Sequence, residues 1–177
     1  RILYKNVDSV LAETILESLT KGKIHKGNIL GAVTCKDKDI PLLKNIPMMK
    51  QQIRVALRNA GHIDPVDIFQ YIANGGFKGL SKALSTMSAS EVIEEVTKSG
   101  LRGRGGAAFP TATKWNFLAR SDKKVKYILC NCEEGDPGAF NDKGILESDP
   151  FTLIEGMIIA GYATGSSNGV IFIRHGH

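Results

Sequence analysis

The chain has 177 residues, 42% hydrophobic and 23% charged, with 23 Lys and Arg against 18 Asp and Glu for a net charge of +5. This is the composition of an ordinary soluble globular protein with room for one core, and the absence of any run of eighteen apolar residues excludes a membrane-spanning helix. Three cysteines, Cys35, Cys130 and Cys132, argue against a secreted disulfide framework, and basic residues scattered rather than striped argue against nucleic acid while still suiting anionic ligands such as phosphates.

The opening residues, "RILYKNVDSV", have neither an initiator Met nor a signal-peptide layout. "RILYKN" reads as the end of a strand. "VDSVLAETILESLTKGK" follows as a helix, with Asp8 or Asn6 as its cap and Gly22 as its stop. Val10, Leu11, Ile15, Leu16 and Leu19 share one face of it. "ILGAV" reads as a short strand. Residues 34–52 carry two prolines and no clean period, as a linker would. "QIRVALRNAG" suits a strand or a helical turn. "HIDPVDIFQYIANGG" reads as a helix with Asp64 at the N-cap, Pro65 at the first helical position and Gly75-Gly76 as breaker. "MSASEVIEEVTKSG" has a capping box in Ser88 and Glu91, a staple from Met87 to Val92, and Gly100 as its left-handed C-terminal cap. "TATKWNFLA" opens a further helix. "KVKYILCN" is a strand, followed by the loop "CEEGDPGAFNDKG". "DPFTLIEGMIIAGYATG" is a helix with Asp149 as cap, Pro150 in its first turn, and Ile154, Met157, Ile158 and Gly161 on one face. "GVIFIR" is a second strand. Strand, helix and strand at this spacing imply a parallel crossover and an α/β sheet. "VIFIRHGH" stops in or just past that strand, so both ends are expected to be cut and the chain to be a piece of a longer protein.

Two segments carry chemistry. In "SGLRGRGGAAFPTATKW", Gly100, Gly103, Gly105 and Gly106 permit positive φ and remove the Cβ atoms that hold a ligand off the backbone. Exposed N–H groups there can cradle a phosphate, Arg102 and Arg104 add fixed positive charge, and the next helix would present its N-terminus. The spacing matches neither G-x-x-x-x-G-K-[ST] nor G-x-G-x-x-G. From composition alone, a ligand loop stands level with a flexible surface turn or an RGG-like RNA patch. In "CNCEEGDPGAF", Asn131 lies at the C-terminal end of a strand, where open α/β sheets bind ligands, and it offers both a donor and an acceptor. Glu133, Glu134 and Asp136 follow; they suit a sugar hydroxyl, a cation or a redox group, or else a solvated turn around Asp136-Pro137-Gly138. Cys130 and Cys132 face the same side of a strand, but zinc and iron–sulfur sites want four ligands and only Cys35 remains. A buried apolar role fits that pair better. His175 and His177 form an H-x-H pair at the chain end. Phe109, Trp115 and Phe117 suit either a stacked base or the core.

Together "SGLRGRGGAAFPTATKW", "YILCNCEEGDPGAF", "DPFTLIEGMIIAGYA" and "VIFIR" closely resemble, in order and spacing, the NADH-binding FMN flavoprotein subunit of respiratory complex I. They also resemble the related subunits of NAD-linked hydrogenases and formate dehydrogenases. The resemblance covers about residues 85–174. Residues 1–32 are similar to the tail of the thioredoxin-like iron–sulfur domain that often precedes this one in the hydrogenase type. "GDPGAF" looks more like the soluble, bifurcating relatives than the respiratory subunit, which usually has Glu where Asp136 stands.

The resemblance implies an α/β architecture. Residues 85–177 would be the N-terminal part of a Rossmann-like FMN/NADH-binding domain, 33–84 a linker and helical lead-in, and 1–32 the thioredoxin-like tail. It implies an NADH:acceptor oxidoreductase subunit: hydride from NADH to FMN, then single electrons to iron–sulfur clusters. Backbone at Gly103, Arg104, Gly105 and Gly106 would approach FMN and the dinucleotide, and Lys114 would face the FMN side. Phe109 and Phe117 would stack the adenine of NADH, Asn131, Glu133 and Glu134 would line the flavin, and Asp136 would lie near the nicotinamide. The glycine loop would thus hold a flavin against which a second planar ring lies flat. No side chain is implied as acid or nucleophile, and no metal site in these residues. The family usually has Gly where Ala108 stands, Ala where Cys132 stands and Asp where Glu133 stands; a thiol at Cys132 facing the ring would alter the flavin potential. A later "GEE"-type segment, a ubiquitin-like domain and the helical bundle whose cysteines hold an iron–sulfur cluster would lie beyond residue 177. This piece alone is expected to bind FMN poorly or not at all. The implied partners are NADH and other iron–sulfur subunits, with no nucleic acid and no direct membrane insertion. The implied location is cytoplasmic, peripheral to a membrane through partner subunits. The alternatives are a non-catalytic nucleotide-binding module that grips phosphate only and an RNA-binding or structural domain.

Overall fold

The structure, a computed structural model, describes residues 1–136 and 138–174. His175 and His177, the expected H-x-H pair, and Pro137 of the acidic turn lie outside the described residues. The chain divides into two compact units, Arg1–Val55 and Ala56–His177.

In the first unit β1 (Ile2–Tyr4) pairs antiparallel with β2 (Ile29–Ala32), and helix α1 (Ser9–Thr20) connects them. Asp8 caps α1 by accepting from Leu11 N–H at 2.8 Å, and Gly22, at φ +66°, follows the last turn. The apolar face of α1 is only partly covered: Leu11 and Ile15 are half-buried, and Val10, Leu16 and Leu19 are exposed. Residues 34–52, expected as linker, contain a bridge from Leu42 to Ala32, a 3₁₀ turn at Leu43–Asn45 and the short helix α2 (Pro47–Lys50). This grouping therefore carries the first unit past residue 32, to Val55.

The second unit begins with turns over 56–67 where "QIRVALRNAG" allowed a strand. Helix α3 (Ile68–Ala73) starts later than expected. Asp67, not Asp64, is its cap, with its carboxylate accepting from Phe69 and Gln70 N–H; Asp64 accepts from Val66 N–H and so closes the preceding turn around Pro65. Helix α4 (Lys78–Thr86) follows Phe77, a non-glycine residue at φ +59°. Helix α5 (Ala89–Ser99) has both halves of its capping box, Ser88 Oγ to Glu91 N–H and Glu91 carboxylate to Ser88 N–H at 2.7 Å. It ends on Gly100 at φ +67°. Then come α6 (Thr111–Ala119), β3 (Tyr127–Cys132), α7 (Asn141–Ser148), α8 (Pro150–Thr164) and β4 (Asn168–Ile173). The loop expected over 132–144 is shorter, because its last residues are the first turn of α7. Asp149 caps α8, and Gly165 closes it at φ +69°.

β3 and β4 run parallel in register, Tyr127 opposite Asn168 through Cys132 opposite Ile173, as the strand–helix–strand spacing requires. The core lies among α4, α5, α6 and α8. Ala83, Val92, Ile93, Ala112 and Ala163 are buried there, with Met87, Val96, Trp115, Ile159 and Tyr162 packed against them. Of the three candidate stacking aromatics, Trp115 is thus a core residue. A second, partly buried region is polar. Glu155 of α8 accepts from the Tyr71 hydroxyl, from Phe77 N–H at 2.9 Å and from Leu80 N–H at 3.0 Å. Asp149, fully buried, accepts from Asn59 Nδ2 at 2.7 Å and Thr152 Oγ1 at 2.6 Å. These bonds fasten α3 and the start of α4 to α8.

Candidate functional site

The glycine stretch forms a closed loop between two helices of the core. Its stem is an antiparallel bridge between Arg102 and Pro110, with Gly103 N–H donating to Phe109 O at 2.8 Å and Thr111 N–H to Leu101 O at 3.0 Å. Arg102 is spent on the stem: its guanidinium donates to Ala108 O at 3.1 Å. Every residue from Leu101 to Phe109 is exposed. Among the described residues, the N–H groups of Arg104, Gly105, Gly106 and Ala107 have no hydrogen-bond partner. A Cβ added at Gly105 or Gly106 would meet no atom within 4 Å, so the backbone there faces open space. Gly106 has φ +92°, which a side chain would strain, and Ala108 occupies a left-handed conformation at φ +48°.

Helix α6 leaves the loop directly. Pro110 precedes it with no side-chain cap; Thr111 N–H is used by the stem, so the next N–H groups, of Ala112 and Thr113, and the helix dipole meet the loop's end. Lys114, exposed one turn in, places Nζ 5.9 Å from the centre of the Phe109 ring. Phe109 is 40% exposed and Phe117 66%, aromatic surface that the core does not use. Gly103 through Gly106, Phe109, Lys114 and Phe117 thus belong to one loop-and-helix feature.

The other expected site residues follow the C-terminal end of β3. Asn131 is exposed; its Oδ1 accepts from Glu133 N–H at 3.1 Å, leaving Nδ2 to face outward. Glu134 is committed to structure, since its two oxygens accept from Asn141 N–H at 2.7 Å and Lys143 N–H at 3.0 Å, capping α7. Burial and the Glu134 charge raise the pKa of Asp142 in that first turn. Glu133 is half-buried beside Gly135, and Asp136 is exposed. Arg174, past the end of β4, donates to Gly135 O at 3.1 Å and ties the acidic turn to the neighbouring strand. Nothing local in the sequence signals that tie, because its partners are 39 residues apart. The α7 cap has a weak local signal in a carboxylate seven residues ahead of the first helical N–H.

Residues 96–177 match the sequence profile of the Nuo51 FMN-binding domain. Over 125 residues, 71% of its length, the chain is 50% identical to the NADP-reducing hydrogenase subunit HndC of Solidesulfovibrio fructosivorans. It is 45% identical over 120 residues to an NADH-quinone oxidoreductase subunit of Rhizobium meliloti. A solved structure of an NAD+-reducing [NiFe]-hydrogenase in the air-oxidized state superposes on 97% of the chain, with TM-score 0.53 and 26% identity. The chain spans about a quarter of each: 25% of the hydrogenase subunit, 28% of the quinone oxidoreductase subunit and 26% of the solved chain. The mixed helix-and-strand fold is therefore shared with a segment of that hydrogenase chain. No helix among the described residues is long and apolar enough to cross a membrane.

Proposed function

We propose that this chain is part of an NADH-oxidising flavoprotein subunit. The observation that carries the reading is the loop of 103–107, within the residues that match an FMN-binding family: four N–H groups without partners, exposed, with open space where a Cβ at Gly105 or Gly106 would stand. The residues fit FMN and a dinucleotide. N–H groups from Arg104 to Ala107 and the uncapped start of α6 suit phosphate oxygens. Lys114 supplies a cation on the same side, and Arg104 a second. Phe109 and Phe117 offer exposed ring faces for an adenine. Asn131 Nδ2 suits a carbonyl on the edge of a flavin ring, with Glu133 beside it. Asp136 lies in the same turn, for the nicotinamide side. Glu134 acts through the backbone it caps, by fixing where that turn runs. When bound, FMN supplies the hydride acceptor for NADH and releases electrons singly to iron–sulfur clusters. The protein residues bind, orient and exclude water; none is needed as acid or nucleophile.

The parallel β3–β4 pair, joined through α7 and α8, supports a Rossmann-like arrangement with ligands at the C-terminal strand ends. The antiparallel β1–β2 pair with α1 supports reading residues 1–32 as the tail of a thioredoxin-like domain, followed by a lead-in to residue 84. The Asp136 turn supports the soluble type. Partners would then be iron–sulfur subunits of a cytoplasmic complex. Anaerobic purification of the full-length protein tests the reading: a flavin spectrum that NADH bleaches is expected. Colourless protein that still binds NAD overturns it in favour of a phosphate-gripping, non-catalytic module.

A further inference from the structure

We propose that Cys130 and Cys132 form a two-thiol modification site that takes a trivalent, thiophilic electrophile of the aryl-arsenical class, bridged between the two sulfurs with its aryl group in the adjoining cavity. The pair stands alternate on β3, so both side chains leave the same face of the strand, and the sulfurs are 3.4 Å apart. Both are free thiols, Cys130 half-buried and Cys132 8% exposed.

Three comparisons choose the ligand class. A disulfide would need the sulfurs to close to about 2.05 Å, across an alternate-residue spacing of about 6.7 Å that lies at the upper limit for such bridges. A four-coordinate metal wants more protein ligands, and no group of three His, Cys, Asp or Glu among the described residues could hold one. A single centre bonded to both sulfurs at about 2.3 Å, the length of a thiolate–zinc bond, would subtend about 95° at the observed separation. That suits a pyramidal trivalent atom and asks no movement of the strand.

Cys132 also lines a cavity of about 220 Å³ together with Leu146, Ile173, Glu134, Lys143 and Glu147. An apolar cavity of about 150 Å³ is enough to hold a benzene ring. The order of reaction follows from exposure. Cys130 attacks first: an arsenic–sulfur bond forms, one arsenic–oxygen bond breaks, and the thiol proton leaves with the hydroxide as water. Cys132, whose thiol is pushed up to about 12 by burial and by Cys130 beside it, remains protonated until the second step. It then forms the second arsenic–sulfur bond, and its proton departs with the second hydroxide. Neither sulfur nor arsenic changes oxidation state.

The test treats the full-length protein with phenylarsine oxide, washes with a monothiol and then with a dithiol, and follows the mass of the peptide spanning Cys130 and Cys132. One phenylarsenic group, added with net loss of one water, should survive the monothiol and leave with the dithiol. Cys130→Ser and Cys132→Ser should each lose the monothiol-resistant adduct, and Cys35→Ser should keep it. The half-buried Cys130→Ser decides alone if Cys132→Ser does not fold. A wild-type peptide without a monothiol-resistant adduct, or an adduct that persists in Cys130→Ser, overturns the proposal. The readout is mass rather than flavin, so it stands or falls apart from the flavoprotein assignment.

Discussion

The glycine loop and the polar cluster around Glu155 are built from the same kinds of group and use them in opposite ways. At the loop, N–H groups from Arg104 to Ala107 point outward without partners, and only the stem is hydrogen-bonded. At the cluster, two carboxylates, a phenol, an amide and two backbone N–H groups are buried or half-buried and paired with one another. A buried polar group without a partner costs about 1–3 kcal/mol, so the cluster is held shut by the penalty of opening it. The loop carries no such penalty, because water satisfies it until a ligand does. Chemistry placed in the loop can therefore change without touching the fold, whereas chemistry in the cluster cannot.

The sharpest way to break this contrast is Gly105→Val in the full-length protein. The added Cβ meets no protein atom within 4 Å, so unfolding should stay within about 0.5 kcal/mol of wild type, as for ordinary surface changes. Flavin retention should be lost altogether, read as the ratio of FMN to protein after gel filtration. Stoichiometric FMN in that variant would move the site away from the loop.

Tyr71→Ala is the converse. Tyr71 is 1% exposed, its ring meets Phe77 edge-on at 5.0 Å and Phe151 at 5.7 Å, and its hydroxyl serves Glu155. Losing it should cost about 3–5 kcal/mol in denaturant unfolding. A loss below about 1 kcal/mol, the range of an ordinary surface change, would show that the cluster does not hold α3 to α8.

Glu155 adds a smaller, pH-dependent effect. Burial alone would raise its pKa, but hydrogen bonds from Tyr71, Leu80 and Phe77 outweigh burial and hold it below 4.5. A carboxylate depressed in the folded state contributes stability above its unfolded value, and that contribution is lost as pH falls through the folded value. Wild-type stability should therefore decline below pH 4.5, and Glu155→Gln, less stable at neutral pH, should show a flatter profile there. Parallel profiles would assign the acid sensitivity to other carboxylates.

The smallest effect is expected at Ala108. Its left-handed backbone at φ +48° costs an alanine about 1–2 kcal/mol, partly offset by the greater unfolded freedom of glycine. Ala108→Gly should raise stability by about 0.5–1 kcal/mol, measured as a higher denaturation midpoint at unchanged slope. The family's usual glycine at this position then has a backbone reason.

Much of the architecture was legible because its signals act over a few residues. Asp8, Ser88 with Glu91, and Asp149 cap helices whose N–H groups lie within three positions, and Gly100 and Gly165 stop helices where only a left-handed residue can follow. The parallel β3–β4 pair followed from strand length and an intervening helix. Asp64 and Asp67 show the limit. Both are competent caps three residues apart, and Gln70, which accepts from Asp64 N–H at 2.9 Å and donates to Asp67 at 3.1 Å, holds the earlier one in a turn.

Of the site, the amino-acid sequence by itself determined the glycine loop, the helix behind it and the alternation that puts Cys130 and Cys132 on one face. Each depends only on backbone freedom or on side-chain period. Tertiary structure alone decided that Arg102 closes the stem while Arg104 stays outward, that Trp115 enters the core while Phe109 and Phe117 do not, and that Glu134 caps α7. It also decided the Arg174 and Glu155 ties. A charge or a ring has no preferred partner until folding brings candidates within about 3–5 Å, and which of them arrives is set by the packing of segments tens of residues apart.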